Sequence, residues 1–276
     1  AFVKEQDEVI IFTPAYDCYQ PAVELAGGKP VFVQLKAPDY SVNWEEVKKL
    51  ISQKTKMIII NTPHNPTGTI LSRDDMLELE KITSESEIIV LSDEVYEHII
   101  FDQIEHESIC RYKGLAARSM AVFSFGKTFH VTGWKMGYCI GPKELMKEFR
   151  KVHQFNVFSS NHPLQHALAD FLEDRERYLS ISSFYQKKRE VFQQAIKGSR
   201  FKIIPCSGTY FQLLSYATIS QESDVLFAER LVKEHSIAAI PVSVFYNSPL
   251  DEKVLRFCFA KKEETLQNAA EILCNA

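Results

Sequence analysis

Short apolar runs alternate with amphipathic stretches along the first half of the chain. The apolar runs have the length of buried β-strands, and the pattern predicts strands at residues 7–12, 31–35, 57–61, 88–92, 121–125 and 136–140. Between them, apolar residues recur at helical spacing at 43–52 and 72–82. Ser72 and Asp75 form a capping-box pattern at the start of the second helix. Such alternation is typical of βαβ units in a mainly parallel sheet with helices on both faces.

The character of the sequence changes after residue 142. Residues 143–198 are rich in charge and are predicted to form a long connecting helix, with Pro163 as its only break. Strands are then predicted at 201–204, 209–213, 237–240 and 254–259, with helices near 222–234 and 262–273. We therefore expect an α/β fold with a large domain at 1–165, followed at 166–276 by the connecting helix and a smaller α+β domain.

Composition narrows the class of protein. With 45% hydrophobic and 25% charged residues, the 276-residue chain is globular, which excludes disordered, collagen-like and coiled-coil proteins. The net charge of −4 does not suggest a polyanionic partner, and the sequence shows no basic face of the kind that nucleic-acid binding needs. No apolar run approaches the roughly 20 residues of a membrane-spanning helix. The six cysteines are scattered without a CxxC pair, so we expect free thiols in a reducing, cytoplasmic compartment and neither disulfides nor a zinc site.

The first residues predict that an upstream part of the protein is missing. Residues 1–5 resemble the last turn of a helix, but no cap, initiator Met or targeting signal precedes them. Glycine, at 10 residues, is also at about half of its usual share. We therefore expect the large domain to be incomplete at its N-terminus.

Chemically informative residues follow three of the predicted strands. An Asn-Pro-Thr-Gly turn follows the strand at 57–61, an acid and a phenol follow the next, and a Ser-x-x-Lys segment follows the strand at 121–125. Taken singly, each has an ordinary explanation as a turn, a helix cap or a surface lysine. Ligands collect at the carboxyl ends of parallel strands, so we expect these groups to meet in one crevice. An arginine also lies inside the last apolar strand, where burial requires an anionic partner. The residues are Asn65, Asp93, Tyr96, Ser124, Lys127 and Arg256.

The order of these motifs resembles the fold-type I aminotransferases that use pyridoxal phosphate. Within them it is similar to the class I/II branch with kynurenine/glutamine-type and methionine-type enzymes. The segments that carry the resemblance are Pro-Ala-Tyr-Asp-Cys-Tyr at 14–19, Ser-Phe-Gly-Lys-Thr-Phe at 124–129 and Arg-Phe-Cys-Phe-Ala-Lys at 256–261. The resemblance runs from Asp7 to the last helix, and it is the combination of motifs that is specific. It implies the fold-type I large domain and a homodimer with its active site at the subunit interface.

The resemblance implies roles for residues around the cofactor ring. Lys127 would hold pyridoxal phosphate as an imine and move a proton at the substrate α-carbon, a task for a deprotonated amine. Asp93 would face the ring nitrogen and keep it protonated. Tyr96 and Asn65 would hydrogen-bond the phenolic oxygen, and Tyr16 would stack on the ring. The alternative for Tyr16 is a core aromatic.

Further roles concern the phosphate and the substrate. Ser124 and Lys135 match two phosphate contacts, although many relatives have Arg at the second position, which grips two oxygens where Lys offers a point charge. Arg256 would bind the substrate α-carboxylate in a bidentate pair, beside Asn65. The stretch 159–161 resembles a segment that faces the neighbouring subunit's site. The family's phosphate-cradling turn and N-terminal arm have no counterpart before Asp7, so we expect weak cofactor binding by this chain alone.

The predicted function is transfer of an amino group from a neutral or aromatic L-amino acid (methionine, glutamine, kynurenine or aromatic type) to a 2-oxo acid. One alternative is another pyridoxal phosphate reaction, such as β-elimination from cysteine conjugates. A second is an inert fragment that acts only as a dimerisation or binding module. A third, a nucleotide-binding α/β protein, is disfavoured because no Gly-rich dinucleotide or P-loop signature is present. The sequence leaves the preferred amino donor open.

Overall fold

A six-stranded sheet forms the larger half of the molecule. The computed structural model describes residues 1–248 and 250–275. The sheet has the order β2-β1-β3-β4-β5-β6, in which β1 to β5 are parallel and β6 runs antiparallel to β5. Its strands are β1 (Glu8–Thr13), β2 (Lys29–Gln34), β3 (Thr55–Asn61), β4 (Ile89–Asp93), β5 (Ser119–Ser124) and β6 (Gly137–Ile140). All six were predicted, with shifts of up to two residues at their ends.

Helices connect these strands. They are α1 (Tyr19–Leu25), α2 (Trp44–Leu50), α3 (Arg73–Thr83), α4 (Lys113–Ala116), α5 (Phe125–Thr128) and α6 (Lys143–Asn156). The predicted capping box is present at α3, where Ser72 accepts from the Asp75 N–H and the Asp75 carboxylate accepts from the Ser72 N–H. Helix α1 was not predicted, because no side chain caps its start and it spans only seven residues.

Both faces of the large sheet are buried at its central strands, which accounts for the continuous apolar sequence of β1 and β3. Ile10 and Ile58 pack on one face with residues of α2 and α3, such as Val47. Val9 and Ile11 pack on the other face with residues of α1. Functional groups on this sheet can therefore reach a ligand only at the strand ends.

A second, antiparallel sheet follows later in the chain. Its order is β7-β8-β10-β9. The strands are β7 (Lys202–Ile203), β8 (Phe211–Ser215), β9 (Ile240–Pro241) and β10 (Val254–Cys258). Three helices bury apolar residues against it, namely α9 (Ile181–Ala195), α10 (Asp224–His235) and α11 (Glu263–Asn275). The strand pattern predicted for this half of the chain is confirmed, with shorter strands than expected at both edges.

The single long helix predicted for 143–198 is wrong. The structure has α6, then α7 (His162–Leu172) and α8 (Glu176–Leu179), before α9 begins. Phe158 adopts a left-handed backbone with a φ of 66°, which ends the first helix, and Asn161 caps the second. Pro163 lies in the first turn of α7, where its missing N–H costs nothing, so it starts a helix and does not interrupt one.

None of the helices in the described part of the chain is long and apolar enough to cross a membrane. All six cysteines are free thiols, and only Cys206 is buried. Burial raises the pKa of the Cys206 thiol to about 12, so this thiol remains protonated at neutral pH.

Candidate active site

The carboxyl ends of β3, β4 and β5 converge on a small cavity. The strands are neighbours, and Asn61 at the end of β3 is in register with Asp93 at the end of β4. The cavity has a volume of about 170 Å³. Its lining residues are Tyr16, Asn61, Asn65, Asp93, Val95, Tyr96 and Lys127. Five of the eight site residues proposed from the sequence therefore border one space.

Asp93 brings a carboxylate to this cavity. Its Oδ2 accepts a hydrogen bond from the Tyr19 hydroxyl at 2.5 Å, and its Oδ1 accepts a longer one from the Val95 N–H at 3.3 Å. Burial raises the pKa of Asp93, while the two hydrogen bonds and the charge of Lys127 act in the opposite direction. The carboxylate is therefore desolvated, with room at Oδ1 for a better donor.

Lys127 lies on the short helix α5, directly after β5. Ser124 caps this helix by accepting from the Lys127 N–H at 3.3 Å, which fixes where the lysine leaves the strand end. The Lys127 Nζ donates to the Tyr210 hydroxyl at 3.4 Å and lies 5.7 Å from the centre of the Tyr96 ring. The amine thus sits among phenol groups, and within the described residues it forms no ion pair with a carboxylate.

The Asn-Pro-Thr-Gly turn positions the next polar group. Asn61 Oδ1 accepts from the Asn65 N–H at 2.8 Å, and its Nδ2 donates to the Asp93 carbonyl at 2.8 Å. Gly68 closes the turn with a φ of 75°, and a Cβ there would lie 2.9 Å from the Cys206 Sγ. Only glycine fits, and its carbonyl accepts the Gly208 N–H at 2.9 Å, which joins the turn to the chain before β8.

Arg256 approaches from β10 of the second sheet. Its Nη1 donates to Asn65 Oδ1 at 2.5 Å, and its guanidinium stacks 4.0 Å from the Phe211 ring centre and 4.7 Å from that of Phe245. Burial lowers the pKa of Arg256 from its ordinary value. In the described part of the chain this guanidinium has no carboxylate partner. A desolvated cation held only by a neutral amide is suited to an anionic ligand.

Two aromatic residues border the cavity differently. Tyr96 is buried, and burial, together with neighbouring groups, raises its pKa well above the ordinary value, so it stays a neutral hydroxyl. Tyr16 is 44% exposed and packs edge-on against Tyr19, with ring centres 5.7 Å apart. Tyr16 therefore borders the cavity and is partly exposed to solvent.

Besides Arg256, which reaches the cavity through Asn65, three predicted groups do not line it. Ser124 lies at the start of α5 as its cap, and within the described residues its hydroxyl donates no hydrogen bond. Lys135 is exposed after a 3₁₀ turn, with a φ of 56°, and no side-chain contact ties it to the site in the described residues. Ser159, Ser160 and Asn161 lie between α6 and α7 on the surface.

Sequence reasoning missed three residues that the structure brings to the site. Tyr19 donates to Asp93, Asn61 holds Asn65, and Tyr210 contacts Lys127. Asn61 could have been found, because a polar residue ends an apolar strand just before the Asn-Pro-Thr-Gly turn. Tyr19 lies within the Pro-Ala-Tyr-Asp-Cys-Tyr segment, but nothing local indicates that its hydroxyl reaches a strand end 74 residues later.

The assembled groups have separate chemical capacities. An amine that is free of carboxylates can act as a nucleophile or a base. A desolvated carboxylate can stabilise a cationic ring nitrogen, and an unpaired guanidinium can bind a carboxylate. The site therefore suits a reaction on an amino or oxo acid.

Comparison with known proteins gives the same answer. The sequence profile of the family "Aminotransferase class I and II" matches residues 1–273. Methionine aminotransferase of Escherichia coli is 48% identical over 99% of this chain and 71% of that protein. Human kynurenine–oxoglutarate transaminase 3 is 35% identical over 99% of this chain and 67% of that protein.

A solved structure is also similar. That of a methionine aminotransferase from Escherichia coli superposes with a TM-score of 0.98 at 47% identity, over 100% of this chain and 73% of that one. The match confirms the predicted fold class and the resemblance drawn from the motifs. The chain therefore belongs to the class I and II aminotransferases and is an aminotransferase of amino acids.

Proposed function

We propose that this aminotransferase uses pyridoxal 5′-phosphate to move the amino group of a neutral or aromatic L-amino acid to a 2-oxo acid. One observation carries the proposal. Asp93 and Lys127 border one cavity, Arg256 reaches it through Asn65, and none of the three is neutralised by an ion pair in the described residues. Buried charges without protein partners are costly, so a ligand with complementary charges is expected.

The donor set fits pyridoxal phosphate. When bound, the cofactor supplies an aldehyde for an amine and an electron sink for the pair released as the substrate α C–H bond breaks. Asp93 Oδ1, which has only a 3.3 Å contact in the protein, is free to accept from a protonated ring nitrogen. The neutral hydroxyl of Tyr96 and the amide of Asn65 suit a phenolic oxygen, and the aromatic ring of Tyr16 suits stacking on the cofactor ring.

The lysine and the arginine divide the remaining work. Lys127 would hold the cofactor through its amine and would take and return the proton at the substrate α-carbon. Arg256 binds the substrate carboxylate through its two terminal nitrogens, which orients the α-carbon toward the amine. The hydroxyl of Ser124 and the ammonium of Lys135 contribute to the phosphate site. Because Lys135 is exposed, its contribution is modest and depends on salt concentration.

The substrate side chain is proposed to be uncharged. Apart from Asp93 and Lys127, the described lining of the cavity is aromatic, aliphatic or amide, with no second arginine to pair with an acidic side chain. Similarity to a methionine aminotransferase at 48% identity supports methionine and related donors. Arg256 belongs to the segment 166–276, which we propose to be a separate smaller domain beside the domain at 1–165.

Replacement of Lys127 tests the proposed function. Protein incubated with pyridoxal phosphate and reduced with borohydride should carry one covalent adduct on Lys127, found by peptide mass spectrometry. Lys127→Ala should lose both the adduct and transamination of methionine. Lys233→Ala is the matched control, since Lys233 lies on α10 and pairs with Glu229 at the surface, away from Lys127. An undiminished adduct in Lys127→Ala would contradict the assignment.

We also propose a homodimer. Helix α6 contributes no fully buried residue to the protein, and Phe155 and Phe158 at its end are 85% and 81% exposed. Exposed aromatic side chains in one patch are typical of an association surface. The segment 159–161 follows this patch, so a second copy is a suitable occupant. Sedimentation velocity should show a dimer that Phe155→Glu weakens.

The compartment proposed is the cytoplasm. All six cysteines are free, and Cys18, Cys110, Cys258 and Cys274 are exposed to solvent. Exposed free thiols are usual in a reducing compartment and uncommon in secreted proteins. Localisation of a tagged protein by fractionation would test this assignment.

A further inference from the structure

The backbone at Tyr210 is hydrogen-bonded to segments that follow strands of both sheets. The preceding residue, Thr209, is fully buried with a φ of 67°, and its N–H donates to the Ile99 carbonyl at 2.9 Å in the connection after β4. The Tyr210 carbonyl accepts from the Phe259 N–H at 3.0 Å, just after β10. These hydrogen bonds fix the backbone position of Tyr210.

The side chain of Tyr210 points toward the candidate active site. Its ring packs edge-on against Tyr96, with centres 5.3 Å apart, and against Phe211 at 4.7 Å. Its hydroxyl is 3.4 Å from the Lys127 Nζ. Within the described residues, this hydroxyl is the one hydrogen-bonding partner of the Lys127 amine. The aromatic contacts fix the orientation of the Tyr210 ring, and this orientation determines the position of its hydroxyl.

A phenol is a chemically suitable partner for a lysine that must react. A carboxylate at the same place would form an ion pair and favour the charged, unreactive ammonium. A neutral hydroxyl can accept from the ammonium and donate to the free amine, so it holds the nitrogen in either state. Positioning of a nucleophile within a site contributes to rate because it removes the search for a reactive geometry.

We propose that Tyr210 is a positioning residue, whose hydroxyl holds the Lys127 amine at the cavity that contains Asp93. This inference rests on the proposed function and deepens it, because it names a group that acts on the cofactor and the substrate through Lys127. Tyr210 itself takes no part in recognition of the cofactor by the other residues. Removal of the hydroxyl should therefore slow steps that use the amine without weakening the binding of either ligand.

The variant Tyr210→Phe isolates the hydroxyl, since the ring contacts with Tyr96 and Phe211 remain. Tyr185→Phe is the matched control. The Tyr185 ring also packs against Tyr210, at 5.7 Å, but its hydroxyl bonds His130 Nδ1 at 2.9 Å and makes no contact with Lys127. A role in packing alone would give similar behaviour in the two variants.

The first measurement is the rate of covalent capture. Protein freed of cofactor is mixed with pyridoxal phosphate, quenched with borohydride at intervals, and the Lys127 adduct is quantified by mass spectrometry. Tyr210→Phe should slow capture about tenfold, the equivalent of one ordinary hydrogen bond, with the same final extent. Tyr185→Phe should match the parent. Affinity for pyridoxine phosphate, which lacks the aldehyde, should be equal in all three proteins.

The second measurement separates kcat from KM with methionine as donor. Tyr210→Phe should lower kcat about tenfold at nearly constant KM, because the substrate carboxylate still binds Arg256. Unchanged capture and kcat in Tyr210→Phe, or equal losses in both tyrosine variants, would overturn the inference while leaving the proposed function intact. An adduct that persists in Lys127→Ala would overturn the proposed function as well.

Discussion

Asp93 and Glu94 are adjacent acids at the end of β4, and their surroundings are opposite. Glu94 is fully buried, and its carboxylate is saturated by the chain: Ser92 and the Ile109 N–H donate to Oε1, and His106 Nε2 lies 2.6 Å from Oε2. Asp93 faces the cavity with one strong donor and one long contact. A buried charged group with several hydrogen-bond partners in its own chain has a structural role. A buried charged group with few such partners remains available to a ligand.

The same contrast holds for two arginines. Arg189 is buried, with both terminal nitrogens on the Asp102 carboxylate, at 2.8 and 2.6 Å, and a further bond to the Cys206 carbonyl. Arg256 has only the amide oxygen of Asn65 and two aromatic faces. Substitution should therefore affect stability at Glu94 and Arg189, whose charges have partners in the chain, and catalysis at Asp93 and Arg256.

The largest effect is expected from the two acids at the end of β4. Asp93→Asn keeps the shape of the side chain but removes its charge, so turnover should fall about 10²–10³-fold, as for other buried electrostatic groups. Glu94→Gln should instead lower the free energy of unfolding by about 1–3 kcal/mol, because it disrupts a saturated buried cluster. Steady-state kinetics and urea unfolding of both variants measure the two effects.

The contrast would be broken by a single result. The contradicting result is a fully folded Glu94→Gln variant that loses as much turnover as Asp93→Asn. In that case a carboxylate with all its partners in the chain would be catalytic, and the number of partners would not predict the role of a buried acid. Circular dichroism at the assay temperature supplies the control for folding.

The arginine pair should give the next largest effect. Arg256→Ala should raise the KM for methionine about 10²-fold or more, since loss of one partner of a desolvated charge pair costs about 2–5 kcal/mol. The borohydride-trapped adduct on Lys127 should be unchanged. Arg189→Ala should lower the unfolding midpoint and leave KM as it was, because Arg189 does not border the cavity.

Two outcomes at Arg256 are informative. A loss of the adduct together with the rise in KM would move this arginine to the phosphate site. Arg256→Lys keeps the charge but not the planar fork, and only a partial recovery of KM is expected if two nitrogens bind the carboxylate.

How much of this could be predicted from the sequence depends on the range of the interactions. The ends of β3, β4 and β5 carry Asn65, Asp93 and Lys127, and parallel strands bring such ends together, so local pattern was sufficient. Tyr19 and Tyr210 act through contacts between distant segments that no spacing encodes. The contrast between Asp93 and Glu94 was also hidden, because it depends on which donors fold against each carboxylate.

Among the secondary elements, the strong local signals were reliable. The Ser72–Asp75 capping box predicted the start of α3, because its two hydrogen bonds are made within one turn. The stretch 143–198 failed for the opposite reason. Its helical composition is continuous, but the left-handed residue Phe158 and the cap at Asn161 divide it. Residue type does not indicate the conformation of Phe158, whereas Asn161 followed by Pro163 is a helix-start pattern that was interpreted as a break.

A buried histidine, His64, directly precedes the Asn-Pro-Thr-Gly turn and makes the stability of the protein depend on pH. His64 bonds Thr67 at 2.7 Å, and burial lowers its pKa from 6.5 to about 4. Below about pH 6.5 the unfolded chain protonates this histidine, whereas the folded protein keeps it neutral down to about pH 4. The contribution of His64 to the free energy of unfolding is therefore fully present above pH 6.5 and is lost as the pH falls toward 4. The loss from this group approaches about 3 kcal/mol.

His64→Asn tests this dependence, because its amide can keep the contact with Thr67 without titrating. Urea unfolding of parent and variant between pH 8 and pH 4 should give curves that converge at low pH, after the variant starts as the less stable protein. Curves that stay parallel would mean that His64 is not the group responsible.

The smallest effect on turnover is expected from Tyr19, whose hydroxyl donates to Asp93. A variant at Tyr19 therefore refines the comparison between Asp93 and Glu94. Tyr19→Phe removes the 2.5 Å hydrogen bond to Asp93 but keeps the ring, so turnover should fall about tenfold, the equivalent of one hydrogen bond to a charged group. Burial already raises the pKa of Asp93 and Tyr19 opposes that rise, so the acidic limb of the turnover profile should move to higher pH in the variant. Tyr246→Phe is the control, since Tyr246 donates to Glu252 at 2.7 Å away from the cavity. A Tyr19→Phe profile that coincides with the parent's would mean that Asp93 keeps its charge without this support, and that the Val95 N–H and the bound ligand are sufficient donors.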